Sequence, residues 1–240
     1  MERVVGEGSV PHGRADEMKV LTISDRVVNR IYNERVRERF ADVELVLSCG
    51  DLPFYYLEYV VTMLNVPLYY VLGNHCPPVR GDFAGIKVKP APGGVNLDGR
   101  VVNHHGLILA GLEGSIRYNQ RPYHQYTQGE MRRKVFGLIP HLLIQRLRHG
   151  RYLDILLTHS PPLGIHDGRD PAHQGFRVFR WFMDVFRPRY LIHGHQHVYD
   201  PREATESRYH DTWVINAYGY KVLEIQPATT GQGRPAVAYD

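Results

Sequence analysis

The chain has 240 residues, of which 43% are hydrophobic and 22% are charged. These fractions are close to those of soluble globular proteins, so the composition excludes a disordered or a fibrous chain. A single core commonly accommodates about 250 residues, and we therefore expect one domain. The formal net charge of +4 favours phosphate-bearing substrates and permits weak contact with nucleic acid.

The lengths of the apolar runs and the number of cysteines bear on the cellular location of the chain. Val66–Leu72 and Leu107–Leu112 are far shorter than the roughly 20 residues that a membrane-spanning helix needs, so we expect no membrane contact. Two cysteines are too few for a disulfide framework, which favours a cytoplasmic location. Residues 1–18 lack the apolar segment of a signal peptide and are predicted to be a flexible leader. Residues 19–227 form the predicted single domain, and 228–240 a loose C-terminal tail.

The first part of the chain alternates short apolar runs with helix-like segments. This βαβαβ pattern is typical of a parallel sheet with helices on its faces. The predicted strands are Lys19–Ser24, Val43–Ser48 and Val66–Leu72, with helices at Val28–Phe40 and Phe54–Leu64 between them.

Further strands are predicted in the second half of the chain from runs rich in Leu, Ile, Val and Tyr. Two of them are expected to form a terminal hairpin, because Tyr218 and Gly219 supply a turn between them. The predicted strands are Leu107–Leu112, Tyr152–Thr158 and Tyr190–His193, followed by the hairpin strands Thr212–Asn216 and Tyr220–Ile225.

A capping box marks the start of a helix at Thr127, since Glu130 stands three residues later. Pro140 removes one intrahelical hydrogen bond, so two helical pieces are expected, Gln128–Phe136 and Pro140–His149. Gly150 ends the second piece. A last helix is predicted over Gln174–Phe186.

Polar side chains follow five of the predicted strands, at the point where each strand ends. In open α/β sheets, ligands bind at the carboxyl ends of strands, so side chains from several strands converge there. Two carboxylates, an amide oxygen and three imidazoles suit two metal ions about 3.5–4 Å apart better than one tetrahedral zinc ion. The five clusters are Ser24-Asp25, Gly50-Asp51, Gly73-Asn74-His75, Thr158-His159 and Gly194-His195-Gln196-His197.

This ordered series resembles that of the calcineurin-like metallophosphoesterases, over about Lys19 to Pro227. The resemblance implies a four-layer α/β/β/α sandwich of two mixed β-sheets flanked by helices. It also implies one or two divalent or trivalent ions, with Mn, Fe, Zn and Ni as the candidates, and hydrolysis of phosphodiesters or phosphomonoesters.

The resemblance further implies a role for each residue. A hydroxide held by the metals attacks phosphorus, and His75 protonates the leaving oxygen as the general acid. By position, Asp25 and His197 bind the first metal, Asp51 bridges, and Asn74, His159 and His195 bind the second.

Two positions depart from the pattern of the family. Val27 stands where the family has a second metal-binding histidine, so the number of bound ions stays open. Cys76 replaces an acidic residue, and it is interpreted as a small buried side chain or as an extra ligand. His173 and Arg26 are candidates for binding the substrate phosphate. A surface loop histidine is an equal alternative for His173, and an exposed helix-start arginine is the favoured interpretation of Arg26.

A small phosphoester is the expected substrate of this chain. A nuclease of the same fold is the first alternative, but no stacking platform for nucleic acid is visible, so this partner is not favoured. A metal-poor interaction module without catalysis is the second, and Val27 keeps it open. The sequence leaves the oligomeric state undetermined.

Overall fold

A computed structural model describes residues 17–76, 91–120, 123–200 and 202–226, together with the backbone of 82–83 and 86–87. The predicted tail and residues 1–16 of the predicted leader lie outside these ranges. No helix in the described ranges is both long and apolar enough to cross a membrane.

The described residues form short strands and a few helices. In chain order the strands are β1 (Met18–Ser24), β2 (Leu45–Ser48), β3 (Leu68–Tyr70), β4 (Asp82–Phe83), β5 (Ile86–Lys87), β6 (Gly94–Asn96), β7 (Val101–His104), β8 (Leu107–Leu112), β9 (Ser115–Ile116), β10 (Gln125–Tyr126), β11 (Ile155–Thr158), β12 (Tyr190–His193), β13 (Glu206–Tyr209), β14 (Thr212–Asn216) and β15 (Gly219–Ile225). The helices are α1 (Val36–Arg39), α2 (Phe54–Leu64), α3 (Gln128–His149) and α4 (Arg177–Phe186).

Two mixed sheets organise these elements. The first has the order β15-β1-β2-β3-β6, in which only β15 runs antiparallel to its neighbour. The second has the order β13-β14-β12-β11-β8-β7, with β13 and β7 antiparallel at its two edges. Strands β4 with β5, and β9 with β10, form separate small pairs.

Strand alternation explains how the sheets pack into layers. In β1, Val20 points into a core shared with Leu109 and Leu157 of the second sheet. Its neighbour Leu21 points the other way, into the core beneath α1 and α2. A third core joins the second sheet to α3 and α4. The predicted α/β/β/α sandwich of two mixed sheets is therefore confirmed.

The first predicted helix is much shorter than expected. Only Val36–Arg39 is helical, whereas the prediction covered Val28–Phe40. Asn33 interrupts the segment, because its side-chain oxygen accepts a hydrogen bond from the backbone N–H of Arg35 at 3.0 Å. Such a local bond offers the backbone an alternative to the helix.

Helix α3 passes through Pro140 without a break, so the prediction of two pieces is wrong. Buried side chains on both sides of Pro140, including Val135 and Leu142, hold the helix against one core. Pro140 has no N–H to donate to the carbonyl of Phe136, one turn earlier. Both residues are exposed, so water is able to replace the missing donor.

The predicted terminal hairpin is also wrong, because its two strands belong to different sheets. Strand β14 pairs with β12 and β13 in the second sheet, while β15 pairs with β1 in the first. The pairing of β15 with β1 runs from Ser24 opposite Gly219 to Met18 opposite Ile225, and every residue of β1 takes part. This ladder provides partners for the backbone of β1 along its whole length.

The capping box gives a test of α3. The Thr127 hydroxyl accepts from the Glu130 N–H at 3.2 Å, and the Glu130 carboxylate accepts from the Thr127 N–H at 2.7 Å. We expect Thr127→Ala to lower the free energy of unfolding by about 1 kcal/mol in urea denaturation. Thr62→Ala, in the exposed part of α2, is the control and should not lower it. Equal losses in both variants would contradict the capping role.

Candidate metal centre

Parallel strands from both sheets end at one place, and the predicted ligands follow them. Asp25 and Asp51 come after β1 and β2, and His159 and His195 after β11 and β12. Ligand atoms of Asp51, His159 and His195 all lie within 4.8 Å of one another. The His159 Nε2 atom is 3.2 Å from Asp51 Oδ2 and 3.0 Å from the side-chain oxygen of Asn74.

The backbone at this site is strained. Asp25, Asp51 and His195 have φ angles of 61°, 53° and 66°, in a region that residues other than glycine rarely adopt. The hydrogen bonds around them hold the conformation. The His195 N–H donates to Asp25 Oδ2 at 2.9 Å and joins the two sheets, while the His75 N–H donates to Asp51 Oδ1 at 2.7 Å.

Two positions must be glycine because a carboxylate lies directly against the backbone there. A Cβ atom on Gly73 would lie 2.2 Å from Asp51 Oδ1, and one on Gly194 would lie 2.4 Å from Asp25 Oδ2. Real side chains do not approach so closely, so each glycine makes room for a carboxylate.

Both central histidines present one ring nitrogen to the cluster. His159 Nδ1 lies 2.8 Å from the Cys49 carbonyl oxygen, and His195 Nε2 lies 2.8 Å from that of Ala172. When the ring is neutral and carries its proton on that nitrogen, the carbonyl accepts the N–H and the other nitrogen is left available. Metal-binding histidines are commonly held in this way.

Burial and charge shift the pKa values of these groups strongly. Burial acts to raise the pKa of Asp51, but the neighbouring His159 outweighs it, and the net shift is downward. Burial acts to lower the pKa of His159, yet the Asp51 and Asp25 carboxylates raise it to about 9. The pKa of His195 falls to about 3, through burial and the nearby His159. The carboxylates thus hold a positive charge between them, and a metal cation supplies the same charge.

Asp25 gives a second indication that a cation fits. Its side chain is only 1% exposed, and burial raises its pKa. The Oδ1 atom has no hydrogen-bond partner among the described residues, and a buried orphan of this kind needs an explanation. His197 Nε2 lies 4.0 Å from the same atom. A cation bound by both side chains would satisfy it.

The remaining predicted residues lie around this cluster. His173 places its ring 5.1 Å from that of His195, and its Nδ1 atom is 2.8 Å from Asp170. His75 is exposed at the edge of the site. Arg26 is exposed as well, and its guanidinium makes no hydrogen bond or ion pair within the described ranges. Val27 packs against the core beside α2 and offers no ligand atom.

Cys76 is buried, and its Sγ atom accepts a hydrogen bond from the Gly73 N–H at 3.3 Å. Burial and the Asp51 carboxylate raise the pKa of its thiol to about 12. The thiol is therefore protonated at neutral pH and stabilises the turn that carries Asn74. This arrangement supports the interpretation of Cys76 as a small buried side chain.

Two tyrosines next to the ligands escaped the sequence analysis. Tyr118 accepts a hydrogen bond from the Asn74 side-chain amide at 3.2 Å, and the Tyr199 hydroxyl lies 2.9 Å from His197 Nδ1. Tyr199 stands only two residues after His197, a spacing that could have drawn attention to it. Nothing in the sequence connects Tyr118 with Asn74, which is 44 residues away.

The fold and the site define a phosphoesterase-like α/β sandwich with a cluster of metal ligands. The sequence model of the calcineurin-like phosphoesterase family matches residues 18–199, and the chain belongs to this family. The predicted resemblance is therefore confirmed. The family supports metal-dependent phosphoester hydrolysis in general terms. No curated protein sequence matches the chain.

Several solved structures match the chain at low sequence identity, and the first of them shows the same fold. The chain is similar to TT1561 of Thermus thermophilus, with a TM-score of 0.58, 14% identity, and coverage of 87% of this chain and 94% of that one. It also matches GAP50, the anchor in the inner membrane complex of Plasmodium, at a TM-score of 0.49, 12% identity, and coverage of 83% and 71%. The calcineurin-like phosphoesterase YfkN from Bacillus subtilis matches at 0.41, 13% identity, and coverage of 91% and 93%.

The packing around Gly73 yields a prediction. We expect Gly73→Ala to displace the Asp51 carboxylate, lower the free energy of unfolding by about 1–3 kcal/mol, and weaken Mn²⁺ binding in calorimetric titration. The control is Gly137→Ala in α3, where an added Cβ meets nothing within 4 Å. That variant should keep its Mn²⁺ affinity and gain about 0.5–1 kcal/mol of stability. Unchanged stability and affinity in Gly73→Ala would refute the steric argument.

Proposed function

We propose that the chain hydrolyses phosphodiesters or phosphomonoesters of small molecules, using one or two metal ions. The observation that carries the proposal is the convergence of Asp51, His159 and His195 at the ends of strands from both sheets. The proposed ligands are Asp25 and His197 for one ion, Asn74, His159 and His195 for the other, and Asp51 between them.

Bound metal would supply charge neutralisation at the phosphoryl oxygens and activation of water. The protein contributes a rigid frame for these ions. Asp25 and Asp51 are fixed by backbone N–H groups, and His159 and His195 by carbonyl oxygens. This preorganisation favours a transition state with high negative charge.

His75 is proposed as the general acid. Its backbone N–H donates to Asp51 Oδ1, and the residue is exposed next to the Asn74 ligand, which supports this role. An imidazole there is able to donate its proton to the leaving oxygen as the ester bond breaks. It would coordinate no metal.

His173 is proposed to bind the substrate phosphate together with Arg26. Asp170 accepts from His173 Nδ1 and holds the ring beside His195, and in the imidazolium form the other ring nitrogen would donate to a phosphoryl oxygen. Arg26 follows Asp25 directly and has an uncommitted guanidinium among the described residues. Both side chains would bind the substrate without taking part in bond breaking.

Removal of the bridging carboxylate gives a test of metal dependence. The wild-type protein, assayed with Mn²⁺, Fe²⁺, Zn²⁺ or Ni²⁺, should hydrolyse bis-p-nitrophenyl phosphate or p-nitrophenyl phosphate. Asp51→Ala should lose bound metal in elemental analysis and lose turnover. His141→Ala, at an exposed position of α3, is the control and should behave like the wild type. A wild-type protein with no bound metal and no turnover on any phosphoester would favour the metal-poor interaction module instead, and cleavage of single-stranded DNA alone would favour the nuclease.

The leaving group tests the general acid. We expect His75→Ala to keep its metal content and to lose about 10²–10⁴-fold in kcat on an alkyl phosphoester, because an alkoxide must be protonated as it leaves. On p-nitrophenyl phosphate the loss should be much smaller, since p-nitrophenolate leaves without a proton. Equal losses on both substrates would rule out this role for His75.

A further inference from the structure

Two tyrosine hydroxyls contact side chains in the cluster of proposed metal ligands, one at each of the two proposed ion sites. Tyr118 reaches Asn74, and Tyr199 reaches His197. Asn74 and His197 share one property that a carboxylate lacks. Each has two unlike polar atoms, of which only one should face a cation. Their orientation therefore decides whether they bind metal at all.

We propose that Tyr118 and Tyr199 are positioning residues, which orient Asn74 and His197 so that their metal-binding atoms face the cluster. The inference rests on the proposed metal binding and adds a distinct requirement to it. Neither tyrosine would touch the metal or the reacting atoms.

The geometry at Asn74 shows how Tyr118 would act. The Asn74 oxygen Oδ1 lies 3.0 Å from His159 Nε2, on the side of the cluster, while the amide nitrogen donates to Tyr118 at 3.2 Å. Asn74 is only 5% exposed, so without the Tyr118 oxygen its NH₂ group would lose a hydrogen bond that water could not easily replace. Tyr118 thus allows the oxygen, the atom that binds cations, to face inward.

Tyr118 is itself held in place by a buried residue. The side-chain oxygen of Gln125 accepts from the backbone N–H groups of Tyr118 and Asn119 at 3.3 and 3.4 Å. The nitrogen of Gln125 donates to the Asn119 side chain at 3.0 Å, and Gln125 is 2% exposed. The backbone at Tyr118 and Asn119 is therefore held by contacts within the protein. Such outer contacts commonly determine how well a metal ligand is oriented.

The geometry at His197 follows the same logic. When the proton of the neutral ring is on Nδ1, that N–H donates to the Tyr199 oxygen at 2.9 Å, and the lone pair of Nε2 is left on the side of Asp25. The Tyr218 ring lies 4.8 Å from the imidazole and limits its rotation. Tyr199 is 80% exposed, so water competes for this hydrogen bond. We expect a weaker effect at Tyr199 than at Tyr118.

Manganese titration of the full chain tests the proposal. Tyr118→Phe keeps the ring and removes only the hydroxyl, and it should weaken Mn²⁺ binding about 10- to 100-fold at one site. Tyr199→Phe should weaken binding about 10-fold or less at the other site. Metal-free Tyr118→Phe should unfold at a somewhat lower temperature than the wild type, because Asn74 loses a buried hydrogen bond, whereas metal-free Tyr199→Phe should match the wild type. Tyr55→Phe, whose hydroxyl has no hydrogen bond within the described ranges, is the control and should bind Mn²⁺ normally.

A double-mutant cycle separates orientation from general damage to the site. Tyr118→Phe should have no further effect on Mn²⁺ binding in an Asn74→Ala background, and its full effect in a His197→Ala background. Tyr199→Phe should show the reverse pattern. Wild-type affinity in the Phe variants, or a full loss when the partner ligand is already absent, would overturn the proposal. A wild-type chain that binds no Mn²⁺ would overturn it together with the metal site, whereas Mn²⁺ binding without hydrolysis would overturn only the proposed function.

Discussion

Burial of the two carboxylates Asp25 and Asp51 is the constraint on which the rest of the site depends. Buried charges are unfavourable unless they are paired or bind metal. The chain compensates them with backbone N–H groups, with the imidazole of His159, and, as we propose, with metal ions. One oxygen of Asp25 still has no hydrogen-bond partner in the described part of the chain. A cation at this position would satisfy the remaining oxygen.

The same constraint explains why two sheets are needed. Asp25 follows a strand of the first sheet, and His195 follows a strand of the second, yet they are joined by a hydrogen bond of 2.9 Å. The left-handed backbone of both residues is tolerated because this bond and the packing around it hold the conformation. Gly194 makes the approach possible, since any side chain there would collide with Ser24 and Asp25. Strain, close packing and ligand placement are thus parts of one arrangement.

Loops complete the site with side chains that do not bind metal in our proposal. Tyr118 and Tyr199 would orient ligands, while His173 and His75 would contact the substrate. Because loops tolerate sequence change better than the sheets do, substrate preference is expected to vary here while the cluster stays constant. Val27 offers no ligand atom at the position where the family resemblance implies a histidine, so the half around His197 would have fewer donors.

Local patterns in the sequence determined the strands that lead into the site, the ligand-bearing clusters after them and the capping box at Thr127, because these depend on residues close together in the chain. Only the tertiary structure decided the rest. Strand β15 lies beside β1 because a long ladder is available there, and α3 continues through Pro140 because core contacts on both sides hold it. The contact between Tyr118 and Asn74 depends on a loop fixed by Gln125. Each of these results from interactions between segments far apart in the chain, which no local pattern encodes.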